Sequence, residues 1–202
     1  MTCYNKLMLQ TVIFIGRSGC GKGTQGDLLK SWILERDHHK HQMLYVESGN
    51  NFRQFIRGDN FSAKQALTIY EKDERQPDFL ACCLWGQNLI NELGSEMHLI
   101  FDGAPRSLPE ATLVTSALDF YQREEPRVVF INVSRKWAEE RLLSRGRSDD
   151  RTLSKINKRL DWFDSDVVPA IEFFRTNPRY KFIEINGEQS IEKVHQDITK
   201  NY

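Results

Sequence analysis

Directly after an apolar run, Thr11–Ile15 (TVIFI), the chain reads Gly16-Arg17-Ser18-Gly19-Cys20-Gly21-Lys22-Gly23-Thr24-Gln25. Glycines at this spacing let successive backbone N–H groups curl around an anion where a Cβ would obstruct them. A helix that starts at the turn adds the partial positive charge of its N-terminus, and Lys22 adds a full one. Strand, glycine-rich turn and helix in that order form the context of a phosphate-binding loop. The strict pattern has Ser or Thr directly after the Lys, whereas here Gly23 intervenes and Thr24 follows. Cys20 is expected to fill the loop as a small side chain rather than to act as a redox group.

Three further segments carry groups suited to phosphate chemistry. Glu47-Ser48-Gly49-Asn50-Asn51-Phe52-Arg53 ends in a guanidinium, which matches a phosphate through two parallel hydrogen bonds. Phe101-Asp102-Gly103-Ala104-Pro105-Arg106 places a carboxylate at a strand end, where it can hold Mg²⁺ and its waters near the loop. From Arg135 to Leu160 there are nine basic and four acidic residues, a local excess of five positive charges. Within this stretch Lys155 and Lys158 read as a solvated helix face. Ser107-Leu108-Pro109-Glu110 fits a helix capping box, although Glu110 is also placed to meet a ligand.

These groups need a frame. Thr11–Ile15, Met43–Val46, His98–Phe101, Arg127–Val133 and Lys181–Ile185 are short, β-branched and largely apolar, as strands buried on both faces of a parallel sheet should be. Helical patterns separate them. Leu28, Leu29, Trp32 and Ile33 make one stripe; Ile156, Leu160, Phe163, Val167, Ile171 and Phe174 make another, in which Pro169 should cause a bend. Alternating strands and helices predict an α/β fold. Residues 1–202 read as one domain, with a polar helical insertion over about 47–92 where a second ligand could sit.

The chain's 202 residues suit a single core, and its 28 basic and 28 acidic residues balance, which argues against a nucleic-acid partner. No apolar run is long enough to span a membrane, and no secretory leader is read, so a cytoplasmic location is expected. Cys3, Cys20, Cys82 and Cys83 form neither a disulfide framework nor a zinc site. His38, His39 and His41 read as a solvated loop.

The string GRSGCGKGTQ resembles the phosphate loop of the adenylate kinase family of nucleoside monophosphate kinases. The three later segments resemble, in the family's order, its S-T-G-D-x-x-R, D-G-F-P-R and R-x-x-x-R-G…G-R-x-D-D motifs. The resemblance implies a three-layer phosphate-loop kinase fold with a five-stranded parallel sheet, an NMP-binding insertion and a lid, here over about 141–151. It also implies phosphoryl transfer from Mg-ATP to a nucleoside monophosphate. On this reading Gly19, Cys20, Gly21, Lys22, Gly23, Thr24 and Arg141 bind ATP, while Ser48, Gly49, Arg53, Gly103, Arg106 and Glu110 bind the monophosphate. Lys22, Arg106, Arg141, Arg147 and Arg159 act on the transferring group, and Thr24 and Asp102 organise Mg²⁺ through water. AMP is the leading acceptor; UMP/CMP is the alternative that the chain's length and short lid also suit, and GMP is left open by Glu110, which stands where many members have Gln. A nucleotide-binding regulator without turnover is the alternative of another class. Arg147 follows Gly146 at once, so the lid is very short and a homo-oligomer is expected to complete the donor site.

Overall fold

The computed structural model of the chain describes residues 9–146 and 152–202. The apolar runs form β1 (Thr11–Ile15), β2 (Gln42–Glu47), β3 (Met97–Asp102), β4 (Arg127–Asn132) and β5 (Lys181–Asn186), all parallel in one sheet of order β2-β3-β1-β4-β5. All five residues of the central strand β1 are buried. Ile13 and Ile15 enter the core on one face of the sheet, Val12 and Phe14 the core on the other, so the run carries no polar alternation.

Nine helices cover the two faces among the described residues: α1 (Lys22–Arg36), α2 (Ser48–Phe55), α3 (Phe61–Glu71), α4 (Asp78–Glu92), α5 (Leu108–Phe120), α6 (Arg135–Arg145), α7 (Leu153–Trp162), α8 (Val168–Thr176) and α9 (Ile191–Thr199). Trp85 and Leu89 of α4, Val114 and Leu118 of α5, and Ile171 and Phe174 of α8 build one core. Leu29 and Ile33 of α1, Leu142 of α6, Ile156 and Leu160 of α7, and Ile198 of α9 build the other. These are the three layers the alternating pattern predicts. Asn60, Ser107, Ser134, Thr152 and Ser190 start α3, α5, α6, α7 and α9, each side chain accepting from an amide three residues on. No helix among the described residues is long and apolar enough to cross a membrane.

The helical stripe is irregular ahead of Pro169, where the proline predicts a bend. A π-helical turn, Phe163–Val167, lies between α7 and α8 without a break in the helical path, and Pro169, which has no N–H to give, follows directly on that wider turn. Between β2 and β3, α4 is rooted in the main core, whereas α2 buries no residue and α3 only Ala63 and Ala66. Two ion pairs tie this region to the C-terminal helices: Arg75 with Asp166 at 3.2 Å and Lys155 with Asp73 at 2.7 Å.

At the sheet edge where the strands begin, the histidines depart from expectation. His38 and His39 are exposed, but His41 donates from both its backbone N–H (2.8 Å) and its Nδ1 (2.9 Å) to Asp37, the buried C-cap of α1. His98, fully buried at the start of β3, lies 3.5 Å from the same carboxylate oxygen through Nε2. Its Nδ1 accepts from the Gln10 amide at 2.9 Å, so Nε2 carries the ring proton and faces Asp37 as a donor. A nitrogen in that state does not ligate a cation. The trio is a polar clamp, Asp37 being hydrogen-bonded to His41 and in electrostatic contact with His98, rather than a metal centre.

Burial holds the His98 imidazole below its ordinary 6.5, against the pull of Asp37 and with the help of His41 and Arg123. Burial works to raise the Asp37 carboxyl, but the bonds from His41 and His98 bring it below its ordinary 3.8. Both folded values are depressed, so both groups contribute stability that is present at higher pH and lost on acidification. For His98 the loss begins as pH falls through 6.5, where the unfolded chain takes up the proton first. His98→Gln should therefore flatten the dependence of unfolding free energy on pH below 6.5, measured by urea denaturation.

Candidate active site

The carboxyl ends of β1, β2 and β3 bring three of the predicted segments together. Past Ile15 the chain leaves the sheet and enters α1 at Lys22, its N-cap Gly21 left-handed at φ 97° and offering no side-chain acceptor. The first-turn amides of α1 are thereby left for an anion. Gly19 has φ 87°, and a Cβ there would stand 2.8 Å from the Ala138 carbonyl and 3.1 Å from Leu142 Cγ. Only glycine lets the loop lie this close to α6. The Lys22 ammonium folds back over the loop, donating to the carbonyls of Gly16 (2.8 Å) and Arg17 (2.9 Å), with Cys20 Sγ at 3.6 Å. Cys20 is buried in the core beneath, the filler role expected of it. Arg17 fixes the loop from outside, pairing with Asp164 at 2.7 Å and lying 4.2 Å over the Phe163 ring.

Across the sheet, β2 ends at Glu47 and β3 at Asp102. Ser48 Oγ donates to the Gly103 carbonyl at 2.6 Å and accepts from Arg106 Nη2 at 3.2 Å, which joins the two strand ends. Arg106 Nε also donates to the Gly103 carbonyl at 2.6 Å, and Arg53 pairs with Glu47 at 3.3 Å. Both guanidiniums then converge on Gly49: a Cβ there would meet Arg53 Nη1 at 3.3 Å and Arg106 Nη2 at 3.7 Å. Two cations side by side over a bare backbone are an arrangement suited to a phosphate. Although Arg106 is exposed at its surface, the dense surroundings of its guanidinium pull its pKa below the ordinary value; Glu110 and Asp102 act against this, Arg159 and Arg53 with it. Arg159, on α7, thus acts on the same cluster.

Asp102 faces the phosphate loop, its Oδ2 lying 3.4 Å from where a Cβ on Gly23 would stand. Thr24 is exposed on the same turn of α1. Two hard oxygen donors beside a phosphate loop fit Mg²⁺. Tyr45 donates to Asp102 Oδ2 at 3.3 Å. Burial, followed by the negative charges of Asp102, Asp27 and Glu47, holds the Tyr45 phenol above its ordinary range, so it keeps its proton.

Not every predicted residue joins this group. Arg141 is exposed on α6 and stacks 5.0 Å over Trp137. Arg147 lies outside the described residues, as do the rest of residues 147–151 of the predicted lid. Glu110 is 1% exposed and both its oxygens are engaged, Oε1 by Trp85 Nε1 at 3.1 Å and Oε2 by the Arg106 amide at 2.5 Å. Ser107 Oγ in turn accepts from the Glu110 amide at 3.2 Å. Burial pushes the Glu110 carboxyl above its ordinary value, while the Arg106 amide and guanidinium and the Trp85 indole draw it back. Ser107 caps α5, while the Glu110 carboxylate braces the chain one residue before the cap and the Trp85 indole, a structural role. Ala104, where the family has an aromatic, has no exposed surface and belongs to the core.

Sequence reasoning passed over Tyr45, Trp85 and Arg17. Trp85 and Arg17 carry no pattern that marks them. Tyr45 could have been found from its position two residues before the end of β2, on the side of the strand that meets α1.

A parallel sheet whose strand ends carry a glycine loop, an uncapped helix and a paired-arginine cradle defines a phosphate-loop nucleotide-binding protein. Comparison with known proteins narrows this further. The family model described as adenylate kinase matches residues 14–179. The chain is 32% identical to adenylate kinase 1 of Nostoc sp. over 187 residues, 93% of this chain and 95% of that protein. It is 28% identical to the adenylate kinase of Prochlorococcus marinus over 96% of this chain and 99% of the relative, and 26% identical to that of Flavobacterium psychrophilum over 96% and 97%. The chain belongs to the adenylate kinase family.

The Glu110 geometry makes its own prediction. A Gln can accept with one oxygen only, which leaves the Trp85 or Arg106 N–H facing an amide donor. Glu110→Gln should cost about 1–3 kcal/mol of stability. The order of preference among nucleoside monophosphates should stay unchanged. Thermal melting and a substrate panel read the two effects separately.

Proposed function

We propose that the chain is an adenylate kinase that reversibly transfers a phosphoryl group from Mg-ATP to AMP, giving two ADP. The observation that carries this reading is the pairing of two phosphate sites on neighbouring strand ends: the loop with Lys22 on β1, and Arg53 with Arg106 over Gly49. A donor phosphate chain in the first and an acceptor phosphate in the second point their reacting ends at each other.

An oxygen of the acceptor phosphate attacks the γ-phosphorus of ATP. The bond from that phosphorus to the β–γ bridging oxygen breaks, and its electron pair leaves on ADP. Near neutral pH the acceptor is already an anion, so no general base is needed. What the protein supplies is position and charge. Loop amides from Gly19 to Thr24 and Lys22 hold the donor phosphates, with Cys20 shaping the loop from beneath. Ser48, Gly49, Gly103, Arg53 and Arg106 seat the acceptor, and Arg141, Arg147 and Arg159 meet the charge on the moving group. Thr24 and Asp102 would hold Mg²⁺ through its waters, and the ion would neutralise phosphate charge when bound. Glu110 shapes the floor behind Arg106. The same reading takes residues 47–92 as the acceptor insertion and 141–151 as a short lid, and places the enzyme in the cytoplasm.

An ADP-release assay with ATP, Mg²⁺ and AMP, CMP, UMP or GMP in turn tests this reading. AMP should support the fastest turnover, and turnover with none of the four would overturn the proposal. Arg53→Ala and Arg106→Ala should each lower kcat/KM for the monophosphate by about 10²–10³-fold, as removal of a placed charge donor does. A second copy of the chain is proposed to cover the donor site in place of a long lid. Sedimentation of a fully active monomer would remove that part.

A further inference from the structure

Tyr45 and Gly26 have no part in the transfer as described, yet they fit one another closely. Tyr45 lies on β2 with its ring along α1. Lys30 Nζ stands 6.0 Å from the ring centroid, and Gly26, one helical turn earlier on the same face, leaves the space into which the phenol extends. A Cβ on Gly26 would overlap the phenol oxygen and stand 2.9 Å from Cζ and 3.2 Å from Cε2. Gly26 is buried, so the helix cannot ease outward into solvent to make room. The missing Cβ lets the hydroxyl pass α1 and reach the end of β3.

Its partner there is Asp102 Oδ2, at 3.3 Å. This is the same oxygen that lies nearest the first turn of α1, 3.4 Å from a Cβ on Gly23. A phenylalanine would fill the space beside α1 equally well, so packing does not account for the hydroxyl. As a donor it occupies one lone pair of Oδ2 and sets the plane of the carboxylate, leaving Oδ1 and the remaining lone pair of Oδ2 for other donors.

We propose that Tyr45 is a positioning residue that orients the Asp102 carboxylate toward the hydrated cation of the nucleotide, with Gly26 as the gap that admits it. The proposal rests on the assignment of Asp102 in the phosphoryl transfer above. It couples three elements: α1, which carries the loop; β2, which leads to the acceptor cradle; and β3, which carries Asp102.

The test compares ATP binding with and without Mg²⁺, by calorimetry, in the unmodified protein, Tyr45→Phe, Gly26→Ala, their double variant and Asp102→Asn. The quantity read is the ratio of the two dissociation constants, which needs no turnover; melting without nucleotide confirms that each variant folds. Tyr45→Phe should lower the Mg²⁺ advantage about tenfold, the low end of what outer partners of metal ligands are worth, and Asp102→Asn at least as much. Gly26→Ala should match Tyr45→Phe, and the double variant should lose no more than either single one, because both break the same contact. In turnover assays, excess Mg²⁺ should restore Tyr45→Phe, an effect that a loss of packing would not show. If Asp102→Asn loses the advantage while Tyr45→Phe keeps it, the proposal is overturned and the Asp102 assignment stands. If Asp102→Asn also keeps it, the assignment falls, and the proposal with it.

Discussion

A helix that begins without an acceptor for its own first amides is the constraint from which the rest of the site follows. Polar backbone groups left unpaired in a folded chain are costly, and most helices of this protein avoid the cost: Asn60, Ser107, Ser134, Thr152 and Ser190 each cap the helix they start. Helix α1 starts instead at a left-handed glycine with no side chain to offer. The Lys22 ammonium turns back onto the carbonyls of Gly16 and Arg17 and so closes the loop on itself. A phosphate satisfies the first amides of α1 and competes for the lysine in one step.

Such a loop needs a rigid support, and α1 receives one at each end. Near its start, the buried Gln25 donates to the Ile191 carbonyl at 2.9 Å, binding the helix to α9. At its far end, Asp37 gathers His41 and His98 into a clamp on the opposite edge of the sheet. The helix spans about 22 Å between these anchors, from 15 residues at roughly 1.5 Å each. Leu29 and Ile33 bury its inner stripe against the sheet. A strut fixed at both ends and along one face keeps the loop amides aimed without help from the ligand.

How much of this was legible in the sequence depends on the range of the interaction. The loop could be read because strand, turn and helix are adjacent, and chemistry and conformation there share one string of ten residues. The arginine cradle was legible only as separate strings. Arg53 and Arg106 lie far apart in the chain, and what joins them is Ser48 bridging the ends of two strands, a product of sheet order. The histidine clamp was misread for the same reason: its third member, His98, arrives from β3, and Asp37 was overlooked as the acid beside His41. Glu110 shows the reverse case. Its capping box was visible locally, but the Trp85 indole that takes its other oxygen comes from a different helix, and only that contact decides between a cap and a reader of bases.

The balance of 28 basic and 28 acidic residues conceals a strongly uneven arrangement. The dense surroundings of the Arg106 guanidinium lower its pKa; Glu110 and Asp102 act against this, and the charges of Arg159 and Arg53 add to it. Left alone, such a cluster would splay apart. Glu47 holds Arg53 from one side, the Gly103 carbonyl holds Arg106 from another, and Glu110 supports the Arg106 backbone from below, with its own charge buried. Each restraint leaves further N–H groups on the guanidinium, since Arg53 gives one Nη to Glu47 and Arg106 gives Nε to Gly103 and Nη2 to Ser48. On the proposed reading, a dianionic phosphate between Arg53 and Arg106 would offset the like charge of the two guanidiniums. Net neutrality is the outcome of that arrangement: the acids that balance the chain include those that keep its cations converged.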